Sequence, residues 1–285
     1  MDTSRWWFLG RLGMEPPFRL LVKALLRQLN VSVRTRALWD ISKRPTYLLG
    51  VLTAAEQARK QKISEISVIE FGVAAGDGLV TLQSEAEAVE RETGIGIKVY
   101  GFDAGPQQGL PAFIGDYRDH PEAWQPGDYP MNESALRALL TKRTTLILGN
   151  VKDTVPGFFQ NFQPPPIGFV SFDLDLYSST KEALQIFCVP DKKMLWHVPL
   201  YFDDIDFLFN HKFAGELLAI EEFNQESSQV KIDKWHGVRI GRPFKEMSFL
   251  EKLYVAHDLE AISQVALNRH VAMLPLRNTG KGGSL

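Results

Sequence analysis

The sequence predicts an α/β fold in which a mainly parallel sheet of seven strands carries helices on both faces. Apolar segments of strand length alternate with helical segments from Ile66 onward, and this alternation is typical of βαβ units. A glycine-rich turn follows the first strand, and acidic residues follow several later ones. Because ligands of such sheets bind beyond the carboxyl ends of the strands, we expect the functional residues in these turns.

Residues 1–62 are predicted to form a helical extension, followed by the sheet domain at residues 63–285. The extension is basic, with twelve Lys or Arg against four Asp or Glu. Apolar residues from Phe18 to Leu29 have helical spacing, and a second helix is predicted over residues 47–62. We expect these helices to assemble the chain into a homo-oligomer. The aromatic segment at Trp6, Trp7 and Phe8 could meet a membrane surface or another subunit, and the sequence leaves both open.

Seven segments of the sheet domain have the length and composition of strands. In chain order they are ISVIEFG, IKVYGFD, TTLILGN, IGFVSFDLD, MLWHVPLYFDD, SQVKIDKW and RHVAMLPL. Helices are predicted between them at LVTLQSEAEAVERETG, DTVPGFFQNF, SSTKEALQIF and FLFNHKFAGELLAIEEFNQ. The fifth strand contains Pro199, which is unfavourable inside a sheet.

Composition excludes several classes of protein. With 32 basic and 34 acidic residues the net charge is −2, which argues against a nucleic-acid-binding protein. The single cysteine rules out an internal disulfide and a cysteine-based zinc cluster, and it fits a cytoplasmic location. No apolar run is long enough to span a bilayer. The start of the chain is not expected to be a secretory signal, because Arg11 interrupts its apolar cluster.

The turn after the first strand reads EFGVAAGDG, with Glu70, Gly72, Gly76 and Gly78 in the pattern E-x-G-x-x-x-G-x-G. Dinucleotide-binding domains prefer the tighter G-x-G-x-x-G. The wider spacing resembles motif I of class I S-adenosylmethionine (SAM) methyltransferases, which implies a Rossmann-like fold and a loop that holds the methionine and ribose of SAM. Asp103 ends the next strand, where that family places an acid for the ribose hydroxyls. A carboxylate can accept from two hydroxyls at once.

Four acids follow the fourth and fifth strands: Asp173, Asp175, Asp203 and Asp204. The ends of these strands are neighbours in a parallel sheet, so the carboxylates are expected to converge. Clustered carboxylates need a cation, and hard oxygen ligands select Mg²⁺, Mn²⁺ or Ca²⁺ rather than zinc. The other interpretation is that these acids are solvated or cap helices.

The segments FDLDLYSSTKEAL, YFDDI, GFDAGPQQGLP and GELLAIEEFN resemble the macrocin O-methyltransferase group, over roughly Arg44 to Asn224. This resemblance implies a SAM- and divalent-metal-dependent enzyme that methylates a hydroxyl of a sugar or natural-product acceptor. Its metal ligands would be Asp173, Asp203 and Asp204. Asp175 would be the candidate general base, so that Asp173 and Asp175 are the predicted catalytic residues.

Two further cofactor contacts follow from the same resemblance. Tyr47, in the RPTYLLG segment, would touch SAM, although helix packing explains it equally well. Asn150, after the third strand, would contact the adenine. The chain departs from the family at Pro199, where a glycine-rich turn is usual, and at IGDYRDHPEAWQPGDYPMN, an irregular insertion and candidate lid.

Other classes of function remain open from the sequence. One alternative is a nucleotide-sugar or NAD-type enzyme on a related sheet. Another is a non-catalytic protein that uses the same fold to bind a partner. The acceptor itself, whether sugar, polyketide, phenol or lipid-linked glycan, is not identified by the sequence.

Overall fold

The computed structural model describes residues 17–106, 108–189 and 192–265. The aromatic segment at Trp6, Trp7 and Phe8 and the strand predicted at residues 269–276 lie outside the described residues.

Seven strands form one sheet in the order β3-β2-β1-β4-β5-β7-β6. They are β1 Glu65–Phe71, β2 Gly96–Asp103, β3 Thr144–Leu148, β4 Ile167–Phe172, β5 His197–Phe202, β6 Val230–Lys234 and β7 Leu253–Asp258. The first five strands are parallel to one another, whereas β7 is antiparallel to both β5 and β6.

The helices of the described residues pack on both faces of this sheet. They are α1 Pro17–Gln28, α2 Val33–Leu38, α3 Pro45–Lys60, α4 Asp77–Thr93, α5 Glu133–Leu139, α6 Val151–Thr154, α7 Phe158–Phe162, α8 Tyr177–Leu184, α9 Gly215–Glu226 and α10 Leu259–Ser263. The predicted fold class is thereby confirmed. In the part of the chain that the structure describes, no helix combines the length and apolar character needed to cross a membrane.

Several elements differ from those predicted. The segment DTVPGFFQNF, predicted as one helix, contains the end of the short helix α6 and all of the short helix α7. The strand pairing with β5 and β6 is Leu253–Asp258, a segment that the sequence did not mark. The helix predicted from Phe207 begins only at Gly215, because residues 207–213 form turns and Gly215 itself has φ +57°. Pro199 does lie inside β5, paired with Val255 of β7.

Helix α3 belongs to the packed core even though it precedes the first strand. Its Tyr47 ring meets Phe169 of β4 edge-on at 5.8 Å between centroids. At Gly50 an added Cβ would stand 2.3 Å from the Phe169 ring, so only glycine allows the helix to lie this close to the sheet. The division of the chain after residue 62 remains a prediction.

Four phenylalanines form a row across the carboxyl ends of adjacent strands. Phe102, Phe71, Phe172 and Phe202 stand on β2, β1, β4 and β5, with neighbouring ring centroids 4.7, 5.3 and 4.7 Å apart. They are paired in register. The residue after each phenylalanine therefore lies at the same level, at the carboxyl edge of the sheet.

Candidate functional site

A cavity of about 400 Å³ lies at the carboxyl ends of β1, β2, β4 and β5. Six of the predicted cofactor residues line it, namely Glu70, Gly72, Gly76, Gly78, Asp103 and Asn150. The four predicted acids line the same cavity, namely Asp173, Asp175, Asp203 and Asp204. The structure thus brings together the glycine turn and the acid cluster, which the sequence predicted separately.

The three glycines of the turn are required by close contacts. Gly72 has φ +83°, and a Cβ there would stand 1.7 Å from the carbonyl oxygen of Asp173. Gly76 caps the start of helix α4 with φ +93°, and a Cβ there would stand 2.3 Å from Cδ1 of Leu136. A Cβ at Gly78 would stand 2.0 Å from Oε1 of Glu70. The turn therefore packs tightly against both the end of β4 and the acid that precedes it.

Asp103 holds the glycine turn against the end of β2. Its Oδ2 accepts hydrogen bonds from the backbone N–H groups of Val73 at 3.0 Å and Ala74 at 2.8 Å. Its Oδ1 accepts from Gly105 N–H at 2.8 Å. An ionised carboxylate has about four acceptor sites, so this side chain retains capacity toward the cavity that it lines.

Glu70 is a fully buried acid beneath the glycine turn. Its Oε1 accepts from the Tyr47 hydroxyl at 2.5 Å, while Oε2 has no hydrogen-bond partner among the described residues. Burial raises the pKa of Glu70 to about 8, the Tyr47 hydrogen bond lowers it, and the charge of Asp173 raises it. Burial dominates because removing a carboxylate from water disfavours its charged form.

Tyr47 lies behind Glu70 and is not among the described residues that line the cavity. It is fully buried, and its hydroxyl oxygen accepts from Ser171 Oγ at 3.0 Å and from Arg44 Nη1 at 3.1 Å. Arg44, one turn earlier, does line the cavity. The hydroxyl of Tyr47 therefore links the guanidinium of Arg44 to the carboxylate of Glu70.

Asp173 and Asp203 each lie beside a cationic side chain. Arg44 Nη1 is 3.6 Å from Oδ2 of Asp173. Burial, followed by the charge of Asp203, raises the pKa of Asp173 to about 6. Lys252 Nζ donates to the carbonyl oxygen of Asp203 at 2.6 Å and lies 3.5 Å from its Oδ1. The Tyr201 hydroxyl donates to the same Oδ1.

Asp204 joins the ends of β4 and β5. Its Oδ2 accepts from the backbone N–H of Asp175 at 3.1 Å, and its own N–H donates to Oε2 of Glu216 at 2.9 Å. Asp175 has φ +62°, in the left-handed region. Burial raises the pKa of Asp175, Asp204 and Glu216, and neighbouring carboxylates raise it further. The site therefore concentrates carboxyl groups where water is largely excluded, and this environment favours their neutral form.

The donor chemistry of this cluster suits a hard divalent cation, because the available ligands are carboxylate oxygens. In the described part of the chain, however, no group of three or more His, Cys, Asp or Glu side chains is arranged to hold one ion. Asp203 and Asp204 are instead engaged with Tyr201 and the Asp175 backbone. The acids share one cavity, and their side chains would have to reorient to share one ligand.

An irregular segment between β2 and α5 covers one side of the cavity. Trp124, Asp128 and Tyr129 from this segment line it. The buried carboxylate of Asp119 fastens the segment to the start of α8, because it accepts from the backbone N–H and the hydroxyl of Ser178 at 2.8 and 3.0 Å. The predicted insertion is therefore present as a cover whose only regular element is the 3₁₀ turn Tyr117–Asp119 within the described residues.

Asn150 lines the cavity from the end of β3 and also begins α6. Its side-chain oxygen accepts from Lys152 N–H at 2.9 Å. The amide therefore has a structural role as a helix cap in addition to its position at the cavity.

Several residues of this site were not predicted from the sequence, among them Arg44, Glu216, Trp124 and Lys252. Arg44 and Glu216 stand in segments that carried the resemblance, RPTYLLG and GELLAIEEFN, and Glu216 could have been found as the acid that opens a helix. Trp124 lies in the irregular insertion, and Lys252 precedes the unpredicted strand β7. The sequence marked the insertion as a candidate lid without singling out Trp124, and no pattern indicated a role for Lys252.

No protein-family model matches the chain, and no curated protein matches it. Several solved structures do match the chain. The O-methyltransferase NovP is 16% identical over 75% of this chain and 79% of its own, with a TM-score of 0.51.

Two further solved structures are methyltransferases. The calicheamicin methyltransferase CalS11 is 26% identical over 62% of this chain and 71% of its own, with a TM-score of 0.45. The plantazolicin methyltransferase BamL, solved with S-adenosylhomocysteine (SAH), is 10% identical over 79% of this chain and 90% of its own, with a TM-score of 0.38. The strand order described above, together with the similarity to NovP, shows that the chain has the class I methyltransferase fold.

Proposed function

We propose that the protein is a SAM-dependent, divalent-metal-dependent O-methyltransferase of the macrocin O-methyltransferase type. The observation that supports this most strongly is the shared cavity, which joins a SAM-type glycine turn to a cluster of carboxylates. A volume of about 400 Å³ lies in the range of small-molecule sites. The acceptor class, a sugar or natural-product hydroxyl, rests on the sequence resemblance. The proposed location is the cytoplasm.

The cofactor half of the site would be formed by the glycine turn, Glu70, Asp103 and Asn150. The turn lets the backbone approach a ligand without side-chain interference. Glu70 offers a buried oxygen without a hydrogen-bond partner in the described chain. The carboxylates around the cavity would also favour a positively charged sulfonium by simple Coulomb attraction.

The acceptor half would be formed by the four acids. Asp173, Asp203 and Asp204 would hold the cation, which when bound lowers the pKa of the acceptor hydroxyl and orients its oxygen. Asp175 would accept the hydroxyl proton as general base. The acceptor oxygen then forms the new carbon–oxygen bond while the carbon–sulfur bond of SAM breaks, which leaves S-adenosylhomocysteine. Holding both reactants in line would supply a large part of the rate.

Binding experiments test the two halves separately and need no acceptor. We expect wild-type protein to bind S-adenosylhomocysteine in isothermal titration calorimetry and Mn²⁺ in electron paramagnetic resonance titrations. Asp203→Asn should weaken Mn²⁺ binding by about tenfold or more and leave S-adenosylhomocysteine binding within about twofold. Asp206→Asn is the matched control, since Asp206 pairs with the same Lys252 but does not line the cavity.

The outcomes distinguish the parts of the proposal. Thermal stabilisation by NAD or a nucleotide-sugar, without stabilisation by S-adenosylhomocysteine, would overturn the cofactor assignment. S-adenosylhomocysteine binding with Mn²⁺ affinity equal in wild type and Asp203→Asn would leave the cofactor in place and overturn the metal site.

A further inference from the structure

Helix α1 presents an apolar stripe to solvent. Phe18, Leu21, Leu25 and Leu29 are 61, 71, 60 and 53% exposed, respectively. The first three lie in α1, and Leu29 directly follows its last residue, Gln28. Their spacing of three, four and four residues places them along one side of the helix axis. Four large apolar side chains in one row form a continuous surface patch, and patches of this kind mark interaction sites.

The cationic side chains of the same helix lie away from the stripe. Arg19 Nη1 donates to the carbonyl oxygen of Pro243 at 2.6 Å. Lys23 is buried, with its Nζ 4.7 Å from the centroid of the Phe244 ring. Arg27 is nine residues after Phe18, which is about 180° around a helix of 3.6 residues per turn. The stripe is therefore uncharged, and two of the three cations of the helix contact the protein itself.

This distribution of charge decides between two kinds of partner. A helix that lies on an anionic membrane uses Lys and Arg side chains flanking its apolar face, and here those side chains contact the residue pair Pro243 and Phe244 instead. An uncharged apolar stripe can meet its own copy across a two-fold axis without like-charge repulsion. Its spacing also approximates the seam along which paired helices pack.

We propose that a second copy of this chain docks on the stripe formed by Phe18, Leu21, Leu25 and Leu29, giving a two-fold dimer. Helix α1 has twelve residues and is therefore about 18 Å long. A contact along one face of a helix of this length buries less surface than the roughly 800 Å² per partner of a standard interface. The dimer is therefore expected to dissociate on dilution. This inference is independent of the proposed chemistry.

Sedimentation velocity on the full chain, from nanomolar to high micromolar concentration, tests the proposal. We expect a concentration-dependent dimer in the wild type. Leu25→Glu should raise its dissociation constant by about tenfold or more, because the substitution places two carboxylates in an apolar contact. Glutamate is a good helix former, so the helix itself is retained. Leu139→Glu is the matched control on α5, where the leucine is similarly exposed, and should change dimerisation by less than about twofold.

Three results would overturn the proposal. The first is a wild-type chain that stays monomeric at every concentration, as it would if another segment of the chain covered the stripe. The second is a dimer that Leu25→Glu and Leu139→Glu weaken equally or not at all. The third is a monomer that co-sediments with phosphatidylcholine–phosphatidylserine vesicles and loses this binding in Leu25→Glu.

Discussion

Replacing Gly72 by alanine tests the contact on which the site geometry depends. Two costs are expected. The left-handed backbone, at φ +83°, costs an alanine about 1–2 kcal/mol. The added Cβ would stand 1.7 Å from the Asp173 carbonyl oxygen, and displacing backbone to relieve such overpacking costs about 1–3 kcal/mol. The sum is a loss of about 2–5 kcal/mol in the free energy of unfolding.

Gly94→Ala separates the two costs. Gly94 directly follows helix α4 with φ +74°, and apart from its own neighbours along the chain no described atom lies within 4 Å of a Cβ built there. This variant should lose only the backbone component, about 1–2 kcal/mol. Urea denaturation measures both variants against the wild type, provided that the m-value is unchanged. Affinity for S-adenosylhomocysteine should fall in Gly72→Ala and remain unchanged in Gly94→Ala.

Measuring Gly72→Ala beside Gly94→Ala tests directly whether the glycine turn contacts the end of β4. If Gly72→Ala lost no more stability than Gly94→Ala and bound S-adenosylhomocysteine normally, the close approach of the glycine turn to the end of β4 would not exist. The glycine turn and the acid cluster would then not be held together as one site.

Two further predictions concern buried charge. Burial raises the pKa of Glu70 from 4.5 to about 8, so between these values only the folded state holds the proton. The free energy of unfolding should therefore fall as pH rises through this window. Urea denaturation from pH 5 to 8 should show a shallower fall in Glu70→Gln, and parallel curves would contradict the raised pKa of Glu70. Arg242 donates to Asp40 in a pair that is almost completely buried. Arg242→Met should cost about 3–5 kcal/mol in the free energy of unfolding, because it removes the guanidinium from beside a buried carboxylate. A loss below about 1 kcal/mol, typical of an exposed pair, would show that the pair is solvated.

The parts of the site that the sequence predicted are those fixed by local pattern. A run of apolar residues that ends in Phe71 or Phe172 predicts a strand, and the next residue necessarily lies at the carboxyl end of that strand. Parallel pairing of neighbouring strands then puts Gly72 and Asp173 at one edge of the sheet. Local periodicity was sufficient to predict the strands, whereas the adjacency of β1 and β4 is known from the structure.

The parts that were missed depend on contacts between distant segments. Strand β7 pairs with β5 and β6 in antiparallel fashion, and its short segment LYVAHD carries no turn or alternation that distinguishes it from an interior loop. The helical spacing around Tyr47 indicated a helix but not its rotation, so the inward direction of Tyr47 and the outward position of Arg44 could not be assigned. The start of α9 depends on the positive φ of Gly215, whereas the apolar residues before it suggested a longer helix.

Backbone hydrogen bonds join the glycine turn and the ends of β4 and β5 to the neighbouring strands. Gly72 N–H donates to Phe102 O at 2.9 Å, and Asp173 N–H donates to Phe71 O at 2.9 Å. Asp203 N–H continues the pattern to Phe172 O at 3.0 Å. Each hydrogen bond extends the sheet one residue beyond the row of stacked phenylalanine rings, and packed rings resist sliding. In the proposed enzyme, a ligand that moved the glycine turn would therefore be expected to move Asp173 as well.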